Sequence, residues 1–123
     1  MTFMCRGIRG AITAESNTKE NILAATTELL KELVEVNNVD KNDVAALFLT
    51  TSPDLNAEFP AVAARQMGWE LVPLLCGHEM AVLDSLGKCI RVLILINTEK
   101  RPDEINHIYL RDAVNLRKRG FEC

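Results

Sequence analysis

The sequence predicts an α/β (α+β) fold: a single domain in which a mixed β-sheet packs against helices. Three observations predict it. Apolar runs of strand length alternate with stretches of helical periodicity. No Pro-, Gly- or Ser-rich linker and no internal repeat interrupts the chain, so residues 1–123 read as one domain. The 123 residues, 48% hydrophobic and 25% charged, suffice to bury one core.

The elements follow in order. CRGIRGAITAE (5–15) reads as a first strand, in which Gly7 and Gly10 mark a bulge or a close backbone approach. SNTKENILAATTELLKELVEVNN (16–38) is the clearest helix. Asn17 with Glu20 resembles a capping box, Ile22, Ala25, Leu29, Leu33 and Val36 form one apolar stripe, and Asn37 and Asn38 end it. VAALFLTT (44–51) reads as a buried strand and SPDLNAEF (52–59) as a turn-rich link. Pro60 opens the short helix PAVAARQM, which Gly68 stops. WELVPLL (69–75) reads as a third strand, CGHEM (76–80) as a loop and KCIRVLILINT (88–98) as a fourth strand. RPDEI (101–105) suits a helical turn, HIYL (107–110) a last short strand, and RDAVNLRKRG (111–120) a terminal turn of helix. Helical content is low beside the number of apolar strands, so a neighbouring subunit is expected to cover one sheet face.

Charge and cysteine usage exclude several classes. A net charge of −3, with no basic run interleaved with aromatics, argues against nucleic-acid binding. Cys5, Cys76, Cys89 and Cys123 are widely spaced, and only two histidines are present. Neither a zinc site nor a disulfide framework is expected. MTFMCRGIRG lacks the apolar core of a signal peptide, and no segment reaches about 18 uninterrupted apolar residues. The chain therefore reads as cytoplasmic, without a membrane partner. There is no G-x-S-x-G, Walker loop or G-x-G-x-x-G; Ser52 and Ser85 have no obvious histidine partner, and His78 and His107 sit in no motif. Cys76 is a nucleophile by residue type, although a cysteine following VPLL is more often an inert buried side chain.

One residue contradicts its surroundings. Arg91 lies inside CIRVLILIN (89–97), the most apolar run of the chain. An unpaired buried guanidinium costs several kcal/mol, so Arg91 needs an anionic partner. Arg9 in the glycine-rich first strand, Arg65 in the alanine-lined short helix and Arg117 near the end add cations, and Glu79 and Tyr109 also sit near apolar runs. Two readings stand side by side. In one, Arg91 and Glu79 form a structural ion pair and the others are solvated surface. In the other, the arginines hold a small polycarboxylate, for which their planar forks are suited, while Glu79 and Tyr109 meet a hydroxyl.

RGIRGAIT, SPDLNAEFPA, GWELVPLLC, EM, KCIRV and HIYL with the later LR resemble, in order and spacing, the bacterial monofunctional chorismate mutases of the trimeric pseudo-α/β-barrel type. The resemblance runs from about Arg6 to Arg117. It implies conversion of chorismate to prephenate on the route to phenylalanine and tyrosine, by an intramolecular Claisen rearrangement. That reaction uses no covalent intermediate or proton transfer, which suits the missing nucleophile and base, and the family implies no cofactor and no metal. By motif, Arg91 meets the ether oxygen and one carboxylate, Arg9 a carboxylate with help from Tyr109, and Glu79 with the Cys76, Gly77 and His78 stretch the ring hydroxyl. Arg65 is a further substrate contact. Phe59, Ala61, Leu74 and Leu75 match apolar wall positions, and Leu116 and Arg117 a C-terminal closing segment. The resemblance implies a homotrimer with sites between subunits. Arg9, Glu79, Arg91, Tyr109 and Leu116 then come from one chain, and Phe59, Ala61, Leu74, Leu75 and Cys76 from the next. Val62 stands where the family often has a lysine, and the sequence ends soon after Arg117; both are expected to alter substrate capture. A catalytically silent trimer that binds a small carboxylate metabolite is the alternative from another class.

Overall fold

The structure is a computed structural model, and it describes residues 3–116. Five strands form one mixed sheet: β1 (Met4–Thr13), β2 (Val44–Thr51), β3 (Leu74–His78), β4 (Cys89–Thr98) and β5 (Ile108–Tyr109). Their order is β3-β2-β4-β1-β5. Central β4 is antiparallel to both β1 and β2, while the outer pairs β1–β5 and β2–β3 are parallel. Two helices, α1 (Lys19–Asn37) and α2 (Ala61–Gln66), connect the strands. The mixed sheet and helices expected from the sequence are present.

The sheet has unequal faces because side chains alternate along a strand. Ile90, Val92, Ile94 and Ile96 of β4 are buried in the core with Ile8 and Ile12 of β1 and Leu47 and Leu49 of β2. On this side α1 lays down Ile22, Ala25, Leu29, Leu30 and Leu33. Gly10 permits the close approach of α1: a Cβ there would lie 2.7 Å from Leu33 Cδ1 and 3.1 Å from Leu29 Cδ1. The opposite face carries Arg91, Leu93 and Leu95 of β4, with Phe48 and Thr50 of β2 and Arg9 and Ala11 of β1 paired beside them. Neither helix packs there.

Beyond shifts of one or two residues at strand ends, the structure departs from the sequence reading at both ends of α1 and at the third strand. The N-cap of α1 is Thr18, whose Oγ1 accepts a hydrogen bond from the Asn21 N–H (3.1 Å), so Asn17 and Glu20 form no capping box. Asn17 instead ties the helix entry to the 52–59 link: its Oδ1 accepts from the backbone N–H groups of Asn56 and Ala57 (both 3.0 Å). At the far end, Val36 is exposed and Asn37 takes the last buried position. The Asn37 side chain exchanges hydrogen bonds with the backbone of Asn106, and Asn38 ends the helix in the left-handed region at φ 52°.

The third correction matters most. The strand expected at 69–75 with a loop at 76–80 is displaced: β3 begins at Leu74 and runs through Cys76 to His78. Pro73 has no N–H to donate, and only its carbonyl joins the ladder, accepting from Leu47 N–H at 2.9 Å. Trp69 and Val72 are buried against the core ahead of the strand.

The Gly10 contact yields a prediction. Gly10→Ala should lower unfolding free energy by about 1–3 kcal/mol, the usual cost of overpacking. In urea titrations, the Gly10→Ala/Leu33→Val double variant should lose less than the two single losses combined, because the shorter side chain makes room for the methyl. Strict additivity would show that the two groups do not press on each other.

Candidate active site

The register across the open face brings distant residues into two adjacent rows. Gly77, Thr50, Arg91, Ala11 and Tyr109 pair in sequence from β3 to β5, and Leu75, Phe48, Leu93 and Arg9 form the next row. A cavity of about 280 Å³ opens over them, lined by Arg9, Phe48, Thr50, Glu79, Arg91 and Tyr109. Four of the residues singled out in the sequence thus share one concavity: Arg9, Glu79, Arg91 and Tyr109. Ala11 between Arg91 and Tyr109 leaves the floor low, and Leu93 and Phe48 make it apolar.

Each charged group has a mount. Arg91 is half-buried at the sheet centre, on a strand paired along its whole length on one side. Its Nε is a buried donor that no hydrogen bond among the described residues satisfies, although the residue has a further interaction. Glu79 continues from β3: its N–H donates to Thr51 O (2.7 Å), and its carboxylate accepts from the Thr50 hydroxyl. The Arg9 N–H donates to His107 Nδ1 at 2.9 Å, which links β1 to the segment leading into β5. Leu110 N–H donates to Ala11 O at 2.9 Å and holds the exit of β5 against β1.

The remaining candidates lie elsewhere. A second cavity, of about 380 Å³, borders β3 and the 52–60 link and is lined by Thr51, Leu55, Phe59, Cys76, Gly77 and His78. Phe59 is 68% exposed and Leu75 62%, large values for apolar side chains. Leu74 and Leu75 point to opposite faces, Leu74 packing on the core and Leu75 standing on the face of Arg91. Burial pushes the Cys76 thiol above its ordinary value of 9.0, and a hydrogen bond with the Ala61 backbone only partly offsets it. Cys76 is therefore a neutral thiol at physiological pH rather than an activated nucleophile. His78 Nδ1 lies 3.0 Å from Thr51 Oγ1. Arg65 is exposed on α2 and lines neither cavity. Leu116 is buried with Ala11, Cys89 and Ala113, and Tyr109 packs against that cluster. Arg117 lies outside the described residues.

Sequence reasoning missed Thr50, Phe48 and Leu93. The period-two pattern of VAALFLTT places residues 48 and 50 on one face, but only the pairing with β4 shows that Arg91 shares it. Among the described residues, no group of three or more His, Cys, Asp and Glu side chains is gathered as metal ligands would be, and no helix is long and apolar enough to cross a membrane.

Two cations, a carboxylate and a phenol over an apolar floor suit a small oxygen-rich anion. At about 280 Å³ the cavity is near the lower end of the roughly 300–1,000 Å³ typical of small-molecule pockets.

Comparison with known proteins agrees with this chemistry. The family model for chorismate mutase type I matches residues 5–119. Chorismate mutase AroH of Thermus thermophilus is 50% identical over 115 residues, covering 93% of this chain and 94% of that protein. Chorismate mutase AroH of Bacillus subtilis (strain 168) is 46% identical over 115 residues, covering 93% of this chain and 91% of that protein. The solved structure of a chorismate mutase from Clostridium thermocellum superposes with a TM-score of 0.89 at 45% identity, covering 90% of this chain and 99% of that one. The chain belongs to the type I chorismate mutase family.

Proposed function

We propose that this protein rearranges chorismate to prephenate in the cavity around Arg91, and that a neighbouring copy in a homotrimer completes the site. The observation that carries the reading is the convergence of Arg9, Glu79, Arg91 and Tyr109 in one cavity on the sheet face that α1 and α2 leave open.

The rearrangement breaks a C–O bond as a C–C bond forms within one molecule, and negative charge grows on the ether oxygen as that bond stretches. Arg91 meets this oxygen and one carboxylate. A fixed cation there binds the transition state better than the ground state, which is the condition for acceleration. Arg9, with Tyr109 beside it, holds a carboxylate, and Glu79 takes the ring hydroxyl. These contacts select the compact reactive conformer from the flexible substrate. No residue needs to form a bond to the substrate or move a proton, in keeping with a protonated Cys76. The free thiols of Cys5, Cys76 and Cys89 suit the reducing cytoplasm as the place of action.

The trimer is supported by what one chain leaves exposed. Phe59 and Leu75 are largely exposed, and Leu75 shares its sheet face with Phe48 and Leu93, which floor an open cavity. In the proposed assembly, Phe59, Ala61, Leu74, Leu75 and Cys76 of one chain close the cavity of the next. Enclosure is needed because ion contacts in open water contribute only about 0–1 kcal/mol.

Incubation of the purified protein with chorismate should produce enzyme-dependent loss of its absorbance and formation of prephenate. A protein that binds chorismate without consuming it would instead be the silent binding module.

The shared site has its own test. Arg91→Ala chains and Leu75→Asp chains should each be nearly inactive, yet unfolding and reassembling them together should restore part of the activity, since some mixed trimers contain one interface with two unmutated halves. An active monomer in sedimentation, or a mixture that stays inactive although mixed trimers form, would contradict the proposal.

A further inference from the structure

Between β2 and β4 lies a polar network that the chemistry above does not use. Where the strands meet, the Ser52 N–H donates to Cys89 O and the Cys89 N–H donates to Ser52 Oγ, both at 2.9 Å. Ser52 and Cys89 are buried, at 6% and 1% exposure. The Ser52 hydroxyl donates in turn to Asp54 Oδ1. The Asp54 carboxylate reaches across the gap, and the Lys88 N–H donates to both of its oxygens, at 2.9 and 3.1 Å.

This contact holds a backbone conformation that the residue itself disfavours. Lys88 has φ 50°, in the left-handed region that side-chain-bearing residues rarely adopt without compensation. In that conformation the Lys88 carbonyl accepts from the Ala14 N–H at 2.8 Å, so the segment entering β4 is also fixed to β1. Gly87 packs closely: a Cβ there would stand 3.0 Å from Asp54 Oδ2. Partial burial raises the Asp54 pKa, but hydrogen bonds from Ser52 and from the Lys88 backbone outweigh it and hold the carboxyl below its ordinary 3.8. The group is therefore ionised at neutral pH.

The network lies between the mounts of two pocket residues. Arg91 is two positions beyond Cys89, and Glu79 hangs from the carbonyl of Thr51, next to Ser52. We propose that Asp54 is a positioning residue that, through Ser52 and the left-handed Lys88 backbone, fixes Arg91 relative to Glu79. The inference rests on Arg91 acting at the substrate as argued above. Displacements of about 1 Å at distant supports can cost around a hundredfold in rate, so the contact has room to matter although Asp54 never meets substrate.

The test is steady-state turnover of chorismate by the assembled protein, at a temperature where circular dichroism shows each variant folded. Asp54→Ala should lower kcat about tenfold while KM changes less than threefold. Lys88→Gly removes the conformational strain, so Asp54→Ala/Lys88→Gly should recover most of the lost kcat; this double variant also serves if Asp54→Ala alone folds poorly. In an Arg91→Lys background, whose flexible ammonium depends less on strand placement, Asp54→Ala should cost less than threefold. Unchanged kcat with only a lower melting temperature would overturn the proposal, as would the same tenfold loss in the Arg91→Lys background or no recovery with Lys88→Gly. Near-normal turnover by Arg91→Ala on its own would identify a different failure, that of the catalytic reading on which the positioning role rests.

Discussion

The position of β4, antiparallel to both of its neighbours at the centre of the sheet, is the constraint on which the rest depends. It assigns Ile90, Val92, Ile94 and Ile96 to the helix-covered side and Arg91, Leu93 and Leu95 to the other. A slip of one residue would reverse that assignment, because side chains alternate with period two. Arg91 would then enter an aliphatic core with nothing to neutralise it, at a cost of several kcal/mol. The same residue is thus tolerable in so apolar a strand and useful there: one face requires its neighbours, the other requires it.

From that register the site follows by pairing. Thr50 and Ala11 flank Arg91 directly, Glu79 is hydrogen-bonded to Thr50, and Tyr109 sits opposite Ala11. The face that α1 and α2 leave open combines apolar floor with fixed charge, so in the proposed trimer a single surface would serve both assembly and catalysis. Under the proposal, apolar side chains from another copy would exclude water from the arginines and strengthen their field at the substrate. Preorganisation would then come from the sheet, which fixes the backbone of the residues proposed to stabilise developing charge before the substrate arrives.

Much of this was legible in the sequence, for identifiable reasons. The helix over Lys19–Asn37 carries a long apolar period, and CIRVLILIN announces both a buried strand and its anomalous arginine. Gly7 and Gly10 suggest a bulge or a close backbone approach, and at Gly10 it is the close approach, of α1. Boundaries set by single hydrogen bonds were not legible. Thr18 rather than Asn17 caps the helix because Asn17 is engaged with the 52–59 link, a contact between segments far apart in sequence. Pro73 moved the third strand into CGH, since a residue without an N–H cannot continue the ladder in the register observed. Arg65 is exposed on α2, apart from the cavity of Arg91, while Thr50 gains its place beside Arg91 only through the register. Pairing between strands is a long-range property, and no local pattern reports it.

The central claim is that the positive charge of Arg91, beyond its shape, stabilises the transition state. Semisynthetic replacement of Arg91 by citrulline tests this most directly, because the planar side chain and much of its hydrogen bonding persist while the charge is removed. The measurement is kcat with chorismate, together with a folding check. The account predicts a folded protein whose kcat falls by about 10²–10³ or more, at least the loss seen when a single oxyanion donor is removed. A folded citrulline protein with near-normal kcat would contradict it.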